Sequence, residues 1–460
     1  MQTNLVPSFT DHTLWAQAQW GDTDLGDVRR TRRAIKLGAA IAAQSSASLP
    51  KQTKSWGNLK AAYRLLNERD VTHTNISTPH WEATRTQAEV LPVETVLFVQ
   101  DTSELDFTSH IGLADAGHLG RYTYGFLAHS CLAIIPNGHN PEVLGLANQV
   151  VWSRKAWRNR TEKDYDRYKR RTEGDIWAET LEAIGAAPAE KRWVSVGDRG
   201  SDIFSYVRRA SALDWRVLLR VTQNRPITTA QGQSQRLKEY MRSRPAQTQT
   251  TTIIRGRSGQ KKHAVVLQVT WQAVTLQPPT KGDEYKETPI PGWCIRCWND
   301  EVKMEWILFS TTEIRSEEDA LEQISWYEHR WLIEEYHKCL KTGCAIEKRQ
   351  LETAKGLLAL LGFLSITAVR LLQLRGVART TPKQNAIEAG IEPLFLKLVA
   401  TRFKREMHEL TLQQFWRGVA MLGGFIGRKS DGEPGWQTLW DGWRRLQDMC
   451  FGAEVVMNGV

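Results

Sequence analysis

Between residues 9 and 71 apolar positions recur at helical spacing. Asp22 or Asp27 can cap a run that passes through Arg29, Arg30, Arg32 and Arg33 into an alanine-rich stretch ending at Ala43, and a second helical piece covers residues 58–66. From about Leu91 the pattern changes to apolar runs of strand length. Residues 95–101 form one that ends on Asp101; residues 124–135 and 142–152 form two more around a turn with Pro136, Asn137 and Gly138, and the three predict an antiparallel meander. A strongly charged segment, 153–171, follows. After it come a helix near 174–184, a strand at 193–198 ending on Asp198, a helix from Ser201 and a strand at 215–221. Residues 223–311 are rich in strands and turns, with candidate strands at 250–257, 263–276, 292–298 and 304–310. Helical spacing returns at 316–341, in the apolar run 356–369, and in 415–422 and 436–449. Residues 375–384, where Arg, Thr, Pro and Lys interrupt the apolar pattern, are the most linker-like.

The central order, three strands, helix, strand, helix, strand, is the one built by ribonuclease H-like α/β domains. In that arrangement the first and fourth strands lie parallel and adjacent, so Asp101 and Asp198 are expected at the same edge of the sheet. The expected fold is α/β: a ribonuclease H-like catalytic core with an inserted β subdomain, flanked by helical N- and C-terminal domains. Boundaries are placed at 1–75, 76–378 (insertion about 223–311) and 379–460.

Composition adds a partner class. The chain has 460 residues, 41% of them hydrophobic and 24% charged, enough for a sizeable core and more than one domain. Lys and Arg number 61 against 51 Asp and Glu, a formal charge of +10 that suits a polyanionic partner such as nucleic acid or an anionic membrane surface. Residues 1–20 lack the order of a signal peptide, and the longest apolar run has 14 residues, so a cytoplasmic protein without a membrane span is expected. Six cysteines fit reduced thiols. Cys294 and Cys297, with Cys339 and Cys344, could suggest zinc, but residues three apart on a strand face opposite ways. Arg255, Arg257, Lys261, Lys262 and His263 cluster at one predicted hairpin, and the segment 154–171 is a DNA-contact candidate on composition alone.

The chemistry concentrates in the predicted helix 316–341. Tyr327, Arg330, Glu334, Lys338 and Lys341 fall within an arc of roughly 80°, while Leu332, Ile333, Tyr336, Cys339 and Leu340 lie opposite. An exposed face with an ordinary Glu334–Lys338 pair explains a charged stripe by itself. A tyrosine and several cations around one glutamate, downstream of two strand-ending acids, also suit phosphates held beside a metal-binding carboxylate.

These residues resemble the bacterial cut-and-paste DDE transposases of the insertion-sequence-four family, whose helix signature is Tyr, two residues, Arg, three residues, Glu, six residues, Lys. Tyr327, Arg330, Glu334 and Lys341 reproduce that spacing. Further similarity runs along the chain in Leu25-Gly26-Asp27-Val28-Arg29-Arg30-Thr31, Ala62-Tyr63-Arg64, Asp101-Thr102, Asp198-Arg199 with Asp202, the segment 369–375, and Leu422-Gly423-Gly424-Phe425 with Trp436, Leu439, Trp440 and Trp443. Residues 380–411 match least, and Gly200 and Ser201 depart from the family's usual run.

The resemblance implies that Asp101, Asp198 and Glu334 bind two Mg²⁺ ions, with Mn²⁺ able to substitute, and catalyse nicking, hairpin formation, hairpin opening and joining to target DNA. It implies that Trp306 takes a flipped base. Tyr327, Arg330 and Lys341 would hold phosphates, and Arg29, Arg30, Arg33 and Arg64 would contact the transposon end. The partners implied are double-stranded DNA, as transposon ends and target, and a second copy of the chain in a synaptic homodimer. In that dimer each end is cut by the protomer whose N-terminal domain grips the other end. Asp202 is expected to cap the following helix rather than bind metal. Two other classes stand beside this one: a transposase-derived DNA-binding regulator, and a ribonuclease H-like nuclease that cuts without joining.

Overall fold

The computed structural model describes residues 11–110, 112–113, 115–138, 140–154, 172–254, 263–280, 286–380, 382–428 and 431–458. The charged stretch 155–171 and the cluster Arg255, Arg257, Lys261 and Lys262 lie outside them.

The chain begins with helices α1 (His12–Trp20), α2 (Val28–Ala43), α3 (Leu49–Thr53), α4 (Trp56–Asn67) and α5 (His73–Val90). Asp27, rather than Asp22, caps α2, its Oδ1 accepting the Arg29 N–H at 2.7 Å. The strands and helices that follow are β1 (Thr95–Asp106), β2 (Gly117–His118), β3 (Tyr124–Ile135), β4 (Glu142–Trp152), α6 (Asp175–Ile184), β5 (Arg192–Gly197), α7 (Phe204–Ala212) and β6 (Arg216–Arg220). That is the predicted order, with the short β2 added. The region after it contributes β7 (Pro226–Thr229), β8 (Ser234–Arg236), α8 (Leu237–Arg242), β9 (Thr248–Ile254), β10 (His263–Leu276), β11 (Ile290–Asn299) and β12 (Met304–Ser310).

All described strands join one sheet, ordered β2-β3-β1-β5-β6-β12-β11-β10-β7-β8, with β4 on β3 and β9 on β10. The inserted strands therefore extend the core sheet rather than form a separate layer, because β12 returns antiparallel to β6 with Phe309 opposite Leu219. The core is a mixed ribonuclease H-like sheet: β1, β5 and β6 are parallel, and β3 runs antiparallel to β1.

The sheet's two faces carry separate cores. Leu97, Val99, Leu132 and Ile134 pack with the N- and C-terminal helices, whereas Val96, Phe98, Trp193 and Trp215 pack with α6 and α7. Strand alternation sends Cys297 to the first face and Cys294 to the second, which removes the zinc pairing.

The predicted single helix 316–341 is broken. It consists of α9 (Glu317–Glu328), α10 (Trp331–Lys338) and a π-helical turn over Cys339–Gly343. Then follow α11 (Ala354–Thr380), α12 (Pro393–Phe403), α13 (Leu412–Leu422) and α14 (Trp436–Asn458). Ala354–Leu374 is long and apolar enough to cross a membrane, yet 89% of that window is buried inside the molecule, as expected of a core helix. The N-terminal helices dock on the same core. Trp20 is fully buried, its ring 5.0 Å from that of Phe363, and Ser45 Oγ donates to the Gly343 carbonyl at 2.7 Å.

At the C-terminal end α13 and α14 cross so closely that a Cβ on Gly442 would lie 1.7 Å from the Val419 carbonyl oxygen; only glycine permits that approach. Phe415, Trp416, Trp436, Leu439 and Trp443 are consumed by this internal packing. They are therefore not free for an intermolecular face, whereas Met421, Phe451, Val456 and Met457 remain exposed.

Candidate active site

Parallel pairing of β1 with β5 sets Val99 opposite Val196. Asp101 and Asp198 each lie two residues beyond that pair, so both carboxylates leave the sheet at one edge. Asp101 does not end its strand: β1 continues to Asp106 against β3, but β5 departs, and the gap exposes the acid. Asp101 Oδ1 accepts the Thr102 N–H at 2.8 Å, and Asp198 Oδ1 accepts the Gly200 N–H at 2.7 Å.

The third acid comes from α10, which packs against β1 and β3. Glu334 lies in its first turn with a mostly exposed side chain, and its Oε1 accepts from Arg330 at 2.5 Å. Burial, followed by the charge of Asp198, pushes the Asp101 carboxyl up to about 6; the Thr102 N–H and Arg330 oppose the rise, and Glu334 adds to it. Asp101 thus feels the other two carboxylates. The three are not drawn together: among the described residues no three His, Cys, Asp or Glu side chains are spaced to hold an ion. Charge repulsion reaches further than coordination, so the two observations agree. The donors are hard carboxylate oxygens, and a crowded, half-desolvated acid lacks the positive charge that a divalent cation would bring. In chemistry the set fits such an ion.

Cations surround these acids. Arg220 ends β6, one strand over from Asp198, and the pairing of Gly197 with Leu219 puts the two residues at adjacent register positions. Burial lowers the Arg220 pKa, Arg199 and Arg330 lower it further, and a hydrogen bond with Tyr327 opposes them. Tyr327 is buried; burial raises its pKa, against Arg330 and Arg220. Its ring meets Trp306, on β12, with centroids 5.5 Å apart at 66°. Arg199, Arg220, Arg330 and Tyr327 therefore form a positive, phenol-bearing wall beside Asp101 and Asp198. Arg220 was absent from the residues singled out in the sequence, and Arg199 entered there only as the neighbour of Asp198. The available signal was that each of the three parallel apolar runs is followed at one edge by a charged residue, Asp101, Asp198 and Arg220.

Beyond Glu334 the expected stripe meets partners of its own. Lys338 places its ammonium 6.0 Å from the centroid of the Trp436 ring, toward α14. Lys341, carried by the π turn, pairs with Glu347 at 3.3 Å, and Glu347 also accepts the Asp106 N–H. Lys338 lies one turn beyond Glu334 on α10, and Lys341 is tied through Glu347 to the end of β1.

In the N-terminal helices Arg29, Arg32 and Arg64 are exposed. Arg30 is committed internally, to Glu68 at 2.7 Å, Asp70 at 3.0 Å and the Leu25 carbonyl. Arg33 donates to Asn58 Oδ1 at 3.0 Å. Asp202 does not cap α7, whose N-terminus has no side-chain cap. It is instead buried, accepting the Thr222 and Gln223 N–H groups and the Arg225 guanidinium, and so fixes the start of the inserted strands.

Residues 12–71 match the family model described as transposase DNA-binding, and residues 94–370 match the one described as transposase DDE domain. Among solved structures, a cryo-EM structure of a piggyBac transposase synaptic complex with hairpin DNA is similar at 10% identity and a TM-score of 0.36. That alignment covers 98% of this chain and 82% of that chain.

Proposed function

The chain belongs to the DDE transposase family, and on that premise we propose that Asp101, Asp198 and Glu334 are its catalytic carboxylates. The family carries out DNA cleavage and strand transfer with divalent metal ions, and the N-terminal match makes DNA the partner. One observation carries the assignment: the parallel register that brings Asp101 and Asp198 to one edge, facing the helix that carries Glu334. Within the family we place the chain with the insertion-sequence-four transposases, nearest the transposon-five branch, on its Tyr327, Arg330, Glu334 and Lys341 spacing.

The ions are Mg²⁺ or Mn²⁺, two per site on the three carboxylates, and when bound they supply Lewis-acid activation of the attacking and leaving oxygens. The protein's own groups do the positioning. Arg330 and Arg220 hold the scissile phosphate's neighbours from the wall beside Asp198, with Tyr327 donating through its hydroxyl. The Arg330–Glu334 pair opens when a phosphate takes the guanidinium, which frees the carboxylate for the acidic edge. Trp306, backed edge-on by Tyr327, receives a base turned out of the stack, so the freed 3′ hydroxyl reaches the opposite strand and a hairpin forms. Arg29, Arg33 and Arg64 contact the transposon end, while Arg30 braces their helix. Two copies pair through the exposed apolar end of α14, each cutting the end gripped by the other.

The test is incubation of the full chain with Mg²⁺ and a labelled duplex carrying an element end. Hairpins and joined products support this reading. Nicks alone would assign a nuclease, and binding without cleavage a regulator.

A further inference from the structure

Among the described residues Trp56 is the exposed tryptophan, 75% accessible, while the others are buried or partly covered. It opens α4, whose Leu59, Ala62, Leu65 and Leu66 turn inward. Lys60 and Arg64, one and two turns further on, are exposed as well. At about 100° per residue the three side chains lie within an arc of roughly 80°, a single outward stripe. The backbone beside the indole is also open: at Gly57 a Cβ would meet no heavy atom within 4 Å. Exposed Lys51 and Lys54 precede it, and Lys54 takes the left-handed conformation (φ 57) that turns the chain directly from α3 into α4. The Arg33–Asn58 hydrogen bond ties the basic helix α2 to the start of α4.

A large apolar ring left in water, at the head of a cationic stripe, suits a surface that is apolar in places and negatively charged at its edges. The major groove of a DNA duplex has that character, with thymine methyl groups and base edges between two phosphate walls. The dimensions agree. From Trp56 to Arg64 the helix rises about 12 Å, close to the groove's width.

We propose that the outward face of α4 is the sequence-reading element of residues 12–71, with Trp56 in apolar contact with base edges and Lys60 and Arg64 on the flanking phosphates. This rests on the reading of that region as the part that grips the transposon end. The division of labour follows from chemistry: phosphate contacts set position and salt dependence, and contacts to base edges select sequence.

The experiment uses the full chain and a library of randomised duplexes. Wild-type protein selects a preferred sequence, and affinities are then measured on that duplex and on a shuffled one of equal length. Trp56→Ala is expected to weaken binding to the selected duplex about tenfold while changing the shuffled one less than about twofold. Trp56→Phe is expected to restore most of the discrimination. Lys60→Ala is expected to weaken both duplexes alike and to flatten the salt dependence. Unchanged discrimination in Trp56→Ala, equal loss on both duplexes, or a loss instead of binding to anionic lipid vesicles overturns the inference alone. Wild-type protein that binds no duplex overturns the underlying reading too.

Discussion

Arg330 holds the carboxylate of Glu334 at 2.5 Å, one turn away on the same side of the chain, while Asp101 across the edge feels both charges. Arg330 is thus a switchable partner, able to hold Glu334 or a phosphate but not both fully. Glu334→Gln keeps the side chain's shape and removes its charge. It is expected to leave DNA-end binding intact and to reduce nicking more than about 100-fold, beyond what loss of an outer partner of a metal ligand costs. Gel analysis of nicked and hairpin products checks this, and wild-type rates would remove Glu334 from the catalytic set.

Trp306 and Tyr327 test hairpin chemistry separately from cleavage. Stacking of a base on an aromatic ring contributes about 1–3 kcal/mol, so Trp306→Ala is expected to nick at the wild-type rate and to form hairpin roughly tenfold more slowly. The fold tolerates the change because the indole is only partly buried, and its edge contact with Tyr327 accounts for about 1 kcal/mol. Equal slowing of nicking and hairpin formation would show instead that the substitution disturbs Tyr327.

The parallel pair β1 and β5 was legible in the sequence because each is a short apolar run ending near an acid, a pattern set locally. What escaped depends on distant partners. The helix expected over 316–341 breaks at His329 and Arg330, where Tyr327 is held against Trp306 on a strand. Periodicity alone does not report such an interruption, because His329 and Arg330 both keep helical dihedrals. The π turn over Cys339–Gly343 likewise takes Lys341 off the expected stripe. Arg220 looked like any strand-end cation until β6 was seen beside β5. The inserted strands read as a subdomain because the β6–β12 pairing, far apart in sequence, joins them to the core sheet. Trp56 was hidden among 19 tryptophans, where only burial separates one from another.

Gln149, on β4, uses its full hydrogen-bonding capacity in the core. Its Oε1 accepts from Ser365 at 2.7 Å and lies 2.8 Å from His73 Nε2; its Nε2 donates to Ser130 at 2.9 Å and Tyr336 at 3.1 Å. Those partners come from α5, β3, α10 and α11, and Ser130 lies opposite Asp101 while Tyr336 follows Glu334 by two residues. Gln149→Leu takes one hydrogen bond from each of four buried polar groups, although Ser130 keeps His337 and Tyr336 keeps Ser365, and at about 1 kcal/mol each the expected loss is roughly 3–4 kcal/mol by denaturant titration. Cleavage should fall further than in Leu181→Ala, a cavity variant on the opposite face of the sheet that costs about 2–5 kcal/mol. Equal activity in the two variants would mean that Gln149 contributes stability without ordering the acidic edge.

Acid should unfold this protein early. His73 and His80 are held down to about 4, and His129 and His337 to about 3, by burial in every case, with His337 adding to the effect at His129 and Lys341 at His337. A histidine whose folded pKa lies below its unfolded value of about 6.5 stays neutral in the native state while the unfolded chain takes the proton. Stability is therefore full above about pH 6.5 and falls as pH drops toward 4, by about 1.4 kcal/mol per histidine for each pH unit. Asp101, raised to about 6, acts the other way, since the folded state takes up its proton first and gains as pH falls from 6 toward 4. One opposing group does not offset four. Between about pH 7.5 and 5.5 the net loss is expected to be on the order of 4 kcal/mol, read as a lower denaturation midpoint. His129→Gln, which removes one titrating group between Thr102 and Gln100, should lose stability at neutral pH yet show a shallower pH slope. A midpoint that stays constant over that range would mean that these imidazoles protonate in the folded protein as readily as in water, against their burial.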